Sequence, residues 1–146
     1  MLQTTSEVLS FGRKLEEDLA GFYEELSRRY GKDKDIWLEF ASENRKYIAQ
    51  VERAYYGVIS DALEGCFAFE LDPDKYNFTA KLNDTASYAE ALKKTIEIEE
   101  KMVSFYTDAA AQSKALMADV PRALALVARK RENRRAVIGS IFRAAA

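Results

Sequence analysis

The sequence contains no histidine. That absence removes the usual general base near neutral pH and the commonest metal ligand. A single cysteine, Cys66, excludes an intrachain disulfide and any zinc site built on several cysteines. No basic or histidine neighbour lowers its pKa, so it reads as a structural or incidental thiol. No apolar stretch approaches the length of a membrane span, and the N-terminus shows no apolar signal region. The expectation is therefore no membrane association and a cytoplasmic location. Net charge is only −2, so a nucleic-acid role driven by overall charge is not expected. The 146 residues are 48% hydrophobic and 32% charged, which fits one helix-rich globular domain large enough for a proper core.

What the chain does contain is one nine-residue stretch twice. Leu15–Tyr23 reads LEEDLAGFY and Ile98–Tyr106 reads IEEKMVSFY. Each lies in a long segment with helical periodicity and no proline. Val8, Gly12, Leu15, Glu16, Leu19, Phe22, Tyr23 and Leu26 recur at steps of three and four. Leu92, Thr95, Ile98, Glu99, Met102, Phe105, Tyr106 and Ala109 do the same. One glutamate of each copy, Glu16 and Glu99, thus falls on an apolar face. A carboxylate there is costly unless a metal or a cation meets it. The blander reading places both at a helix edge facing water, against which their matched places in the repeat argue.

Taken in order, the chain predicts four helices over about 6–30, 36–64, 86–113 and 120–143. Thr4, Thr5 or Ser6 can cap the first, and Gly31 stops it. Asp33 or Asp35 caps the second and Gly65 ends it. Asp84 or Thr85 caps the third. Asp119 caps the fourth, with Pro121 in its first turn. Residues 66–85 read as an irregular crossover packed on the bundle. The alternation of Phe67, Phe69 and Leu71 would suit a strand, but no partner strand is evident. Short loops force each helical pair antiparallel, so the pattern is two hairpins joined by one long connection. Arg129–Arg135 (RKRENRR) is a local basic run. Arg129 and Lys130 suit a solvated face, whereas Arg131 and Arg134 sit on an apolar line with Leu124, Val127, Ile138 and Ile141.

These residues resemble the rubrerythrin-related branch of the ferritin-like superfamily. Its first and third helices read roughly A-i-x-i-E-x-x-a-x-x-F-Y, and this chain offers GRKLEEDLAGFY at 12–23 and TIEIEEKMVSFY at 95–106. The resemblance implies an all-α, ferritin-like four-helix bundle, and puts Glu16 and Glu99 at metal-binding positions. The family's second and fourth helices read roughly F-x-x-L-A-x-x-E-x-x-H. In one register Asn44 and Arg131 replace the glutamates, and Tyr47 and Arg134 the histidines. A second register keeps Glu43 and Glu132 and puts Lys46 and Arg135 where the histidines stand. The first is preferred, because its four residues lie on the apolar lines. Both registers lead to one chemical conclusion. A paired iron or manganese centre needs about four carboxylates and two imidazoles. This chain supplies cations in their place, and a guanidinium cannot ligate a metal.

The expected site is therefore a di-metal cavity refilled by ion pairs, with Arg131 and Arg134 balancing Glu16 and Glu99. Asn44 and Tyr47 would add hydrogen bonds. No catalytic residue and no bound metal are expected; if any cofactor binds, it is iron or manganese. The leading functional expectation is a non-catalytic structural, binding or regulatory protein that forms a homodimer. One alternative is a peroxide-reducing or iron-oxidising enzyme with a carboxylate-only site. Another is a module binding a small anion through Arg131 or Arg134. Paired cysteines for a rubredoxin-type iron centre are missing. Tyr23, Tyr47 and Tyr106 are either core aromatics or redox tyrosines beside a metal, and the former is the simpler reading. The homodimer expectation rests partly on aromatic surplus at Tyr55-Tyr56 and from Phe67 to Phe78.

Overall fold

A computed structural model describes residues 1–56, 68–115 and 119–146. Among these, all regular structure is helical, in four long helices. Helix α1 spans Thr5–Tyr30, α2 Lys34–Tyr56, α3 Tyr88–Gln112 and α4 Asp119–Ala145. Thr4 caps α1 through a reciprocal box. Its hydroxyl accepts from the Glu7 N–H at 3.2 Å, while its own N–H donates to the Glu7 carboxylate at 3.0 Å. Gly31 ends α1 at φ 66°, the left-handed region that glycine enters without strain. Asp33 also has positive φ, and its carbonyl accepts from Ile36 and Trp37 at the start of α2. The connection is only three residues long, so α1 and α2 pack as an antiparallel hairpin.

Helix α3 is capped by Ser87, not by Asp84 or Thr85. The Ser87 hydroxyl accepts from the Glu90 N–H at 3.1 Å. The two earlier candidates are used up in a turn closed by Ala86 N–H to the Asn83 carbonyl. Asp119 stands inside the first turn of α4 rather than before it. The proposed Gly65 stop of α2, and Cys66, lie outside the described residues. Helix α3 packs on α4 as the second pair, and the two pairs meet through α2 against α4 and α1 against α3. At Gly12 the pairs approach closely. A Cβ there would sit 3.1 Å from Ile48 Cδ1 and 3.2 Å from Phe105.

The described part of the crossover does have a pairing partner, namely the N-terminus. Leu2 and Leu71 exchange N–H···O bonds of 2.7 and 3.0 Å, and Phe69 N–H donates to the Gln3 carbonyl at 3.0 Å. The contact is a single antiparallel bridge, too short to make a strand. Gln112 of α3 clamps the other edge, bonding both the N–H and the carbonyl of Glu70. Phe69, Leu71 and Tyr76 are buried, as is Tyr55 on α2. Burying such side chains contributes about 1.5–3 kcal/mol each. The aromatics that suggested a surplus for dimerisation thus fill the chain's own core; the Tyr56 side chain and Phe67 lie outside the described set. Among the described residues no helix is long and apolar enough to cross a membrane.

Candidate functional site

The apolar faces of all four helices converge on a layer that is not apolar. Glu16 from α1, Asn44 from α2, Glu99 from α3 and Arg131 from α4 are each 0% exposed, and Arg134 is 3% exposed. Helical spacing explains the grouping. Arg131 and Arg134 are one turn apart on α4, as Asn44 and Tyr47 are on α2, so each pair shares a face. Leucines and valines continue these faces above and below, which brings the polar layer inside the core.

Arg131 lies between the two carboxylates. Its Nη1 donates to both oxygens of Glu99 at 2.8 Å each, and its Nη2 donates to Glu16 Oε1. A planar fork makes this bridge possible, whereas an ammonium would present a single point charge. Arg134 extends the network outward. It donates to the Asn44 side-chain oxygen, to Glu99 at 3.5 Å, to Tyr47 at 3.2 Å and to Glu43 at 3.1 Å. Its guanidinium also sits 4.4 Å over the Phe40 ring, a cation–π contact that spares part of the desolvation cost. Asn44 donates to the Glu16 carbonyl at 3.2 Å, tying α2 to α1.

The repeat acquires a structural meaning that its spacing alone did not reveal. Tyr23 lies seven residues after Glu16 but donates to Glu99, while Tyr106, seven after Glu99, donates to Glu16 at 3.0 Å. Each copy's tyrosine therefore caps the other copy's carboxylate. Both tyrosines are core aromatics, and they are carboxylate caps as well; the matched Glu-to-Tyr interval is the sequence signal for the second role. All four carboxylate oxygens accept at least one hydrogen bond.

The six residues of the preferred register thus come together in one place. Those of the second do not. Lys46 and Glu132 are exposed, and Arg135 pairs with Glu132 and Glu100 at the surface. Glu43 is the exception. Its side chain is 35% exposed, and it joins the network at the rim, accepting from Arg134 and from Tyr47 at 3.0 Å. The preferred register leaves Glu43 out, because it falls at the edge of the α2 apolar line; the second places it at the cavity, but not as a partner of Arg134. Counting Glu16, Glu43 and Glu99 against Arg131 and Arg134, the cluster carries three negative and two positive charges.

Burial raises the Glu99 pKa, opposed by the Arg134 charge and the Tyr23 hydrogen bond. Burial and the like charge of Arg134 lower that of Arg131, yet a guanidinium starts so high that it stays charged. Burial also works against the Arg134 charge, but Tyr23, Glu99, Tyr47 and Glu43 around it raise its pKa overall. The phenols shift in one direction. Burial pushes Tyr47 up to about 12, and burial together with Glu99 raises Tyr23 and Tyr106 further.

A pH dependence follows. These phenols ionise more readily in the unfolded chain, near 10.0, than in the folded one. The stability they confer is complete below pH 10 and is lost as pH rises through the folded values. Tyrosinate absorbance and helical circular dichroism should therefore change together above pH 10. Ionisation of Tyr23, Tyr47 and Tyr106 near pH 10 with the helices intact would contradict their buried, hydrogen-bonded placement.

The geometry poorly suits the metal pair that the family resemblance implies. The position between Glu16 and Glu99 holds a guanidinium, and each of their carboxylate oxygens already accepts a hydrogen bond from a protein donor. Among the described residues no group of three or more histidine, cysteine, aspartate or glutamate side chains is placed to hold an ion. No protein-family model matches the chain, and no curated protein or solved structure does either.

Proposed function

We propose that the chain is a ferritin-like four-helix bundle of the rubrerythrin-related kind whose di-metal site has been replaced by a buried Glu–Arg network. On this reading it acts as a non-catalytic structural, binding or regulatory protein. The observation that carries the proposal is Arg131, bridging one glutamate from each copy of the repeat. The hairpin pairing and the crosswise tyrosines support it, since both treat the two halves as equivalents around one centre. The carboxylate-only enzyme fits less well. Among the described residues Glu43 is the one further carboxylate at the cluster, and it is held by Arg134. An anion held by Arg131 or Arg134 fares no better, because their Nη atoms already bond protein acceptors.

Protein purified from iron- and manganese-rich medium and desalted should contain far less than one transition-metal atom per chain. About two per chain, as a paired centre requires, would overturn the proposal.

A further inference from the structure

The buried network is connected to the surface by a chain of oxidisable rings. Tyr23, whose hydroxyl donates to Glu99, stacks on Trp37 with ring centroids 5.8 Å apart and planes 10° from parallel. Both rings are fully buried. The Trp37 indole N–H donates to the Tyr88 hydroxyl at 3.0 Å, and the Tyr88 hydroxyl donates to the Asp33 carboxylate at 2.8 Å. Tyr88 is partly exposed. The chain thus begins and ends on a phenol bonded to a carboxylate, with an indole between them. Phenol and indole give up an electron far more readily than a benzene ring, because a heteroatom lone pair feeds the ring. Among the described residues the second copy of the repeat lacks this continuity. Tyr106 also bonds a glutamate, but the ring described against it is Phe105, at 5.1 Å, and Phe105 leads on to Tyr76.

We infer that Tyr88, Trp37 and Tyr23 form a one-electron relay, which carries an oxidising equivalent from the surface to the Tyr23–Glu99 pair and holds it there as a buried neutral tyrosyl radical. The oxidant is a one-electron acceptor in solution, of the carbonate-radical class. It takes an electron from Tyr88 while the phenolic proton passes to Asp33, within the reach proton transfer needs. The Tyr88 radical then takes the hydrogen atom of the Trp37 indole N–H. Finally an electron passes from Tyr23 to Trp37 through the stacked rings, and the Tyr23 proton moves to Glu99. The indole nitrogen regains its proton from Tyr88, which regains its own from Asp33. The net change is one electron lost to the oxidant and one proton moved from Tyr23 to Glu99.

Two features favour Tyr23 as the end point. The Arg134 guanidinium lies 5.6 Å from the Tyr23 ring centre, so a cation radical there is disfavoured and the proton must leave with the electron. The cluster can also take that proton. Its three carboxylates exceed its two guanidiniums by one, so protonating Glu99 makes it neutral. This inference does not depend on the ferritin-like reading.

The test is flash oxidation of the full-length chain with a photo-oxidised ruthenium polypyridyl complex, followed by transient absorption and electron paramagnetic resonance. The expected result is one long-lived tyrosyl radical, formed more slowly in heavy water than in light water. Tyr23→Phe should abolish the long-lived signal. Trp37→Phe should slow its formation by about tenfold or more, a barrier increase of about 1.4 kcal/mol. Tyr76→Phe, which removes another carboxylate-bonded phenol outside the relay, should leave it unchanged. Circular dichroism establishes that each variant is folded. A signal of the same yield and lifetime in folded Tyr23→Phe, or formation at the parent rate in folded Trp37→Phe, would overturn the relay. An absent solvent isotope effect would overturn the proton transfer to Glu99.

Discussion

The Arg131→Ala variant is expected to lose roughly 3–5 kcal/mol of stability in urea unfolding, because it strands two buried carboxylates. The loss is a large part of the roughly 5–15 kcal/mol that holds a domain of this kind together. Arg131 supplies three of the hydrogen bonds to Glu16 and Glu99 and is itself fully buried. Without it, Glu16 keeps only the Tyr106 hydroxyl, and Glu99 keeps Tyr23 and the 3.5 Å contact to Arg134. Arg131→Lys should recover only part of the loss. An ammonium cannot bond both carboxylates in a plane, and it sacrifices the packing of the guanidinium against Tyr47 and Tyr106. The surface pairs offer a comparison of scale. Arg45 with Glu17 and Glu24 also joins α2 to α1, but such exposed pairs contribute about 0–1 kcal/mol. Arg45→Ala should accordingly move the midpoint little.

The helices and the inward positions were legible because periodicity reports burial directly. Glu16, Asn44, Glu99, Arg131 and Arg134 each interrupt an apolar line, and a charge in that place has few ways to be tolerated. That Arg131 and Arg134 would together balance Glu16 and Glu99 followed from the resemblance and from charge; that Arg131 alone bridges both glutamates did not. Three things were not legible, each for a physical reason. Ser87, rather than Asp84 or Thr85, caps α3, because the preceding backbone closes its own turn and three polar residues compete for one role. The Leu2–Leu71 bridge joins residues far apart in the chain, and no local pattern announces a single long-range backbone pair. Tyr23 and Tyr106 cap the opposite copy's glutamate, a crossing that depends on how the two hairpins face each other. The sequence offers Glu43 only in the second register, and its pairing with Arg134 was hidden for a different cause. A long side chain at the edge of an apolar line can turn inward to a cation or outward to water, and only the position of Arg134 decides.

A second large effect is expected from rebuilding a metal site. Changing Asn44→Glu, Tyr47→His, Arg131→Glu and Arg134→His together would surround one buried point with four carboxylates and two imidazoles. The local charge shifts by about −4 if both histidines are neutral. Without metal, this variant should be far less stable than the parent, because clustered buried carboxylates repel or take up protons. Added cobalt should restore stability by linkage, by about 2.7 kcal/mol when free metal is a hundredfold above its dissociation constant. The rival variant, Lys46→His with Arg135→His, should bind cobalt no better than the parent, since Lys46 faces solvent and Arg135 is engaged at the surface. Cobalt binding by the second variant and not the first would reverse the assignment of the inward-facing register.

The central claim is that Arg131 and the two core glutamates form one coupled unit, and a double-mutant cycle between Glu16 and Arg131 measures that coupling. The cycle comprises Glu16→Leu, Arg131→Met, both together, and the parent, each unfolded in urea. Arg131→Met leaves Glu16 and Glu99 buried without the cation they share, whereas the double change also removes Glu16 and leaves Glu99 facing Arg134, with the deleted pair replaced by apolar volume. The account predicts that the double variant is clearly more stable than Arg131→Met alone, with a coupling energy of about 2 kcal/mol or more. Additive losses, with the double variant as unstable as the sum of the singles, would contradict it.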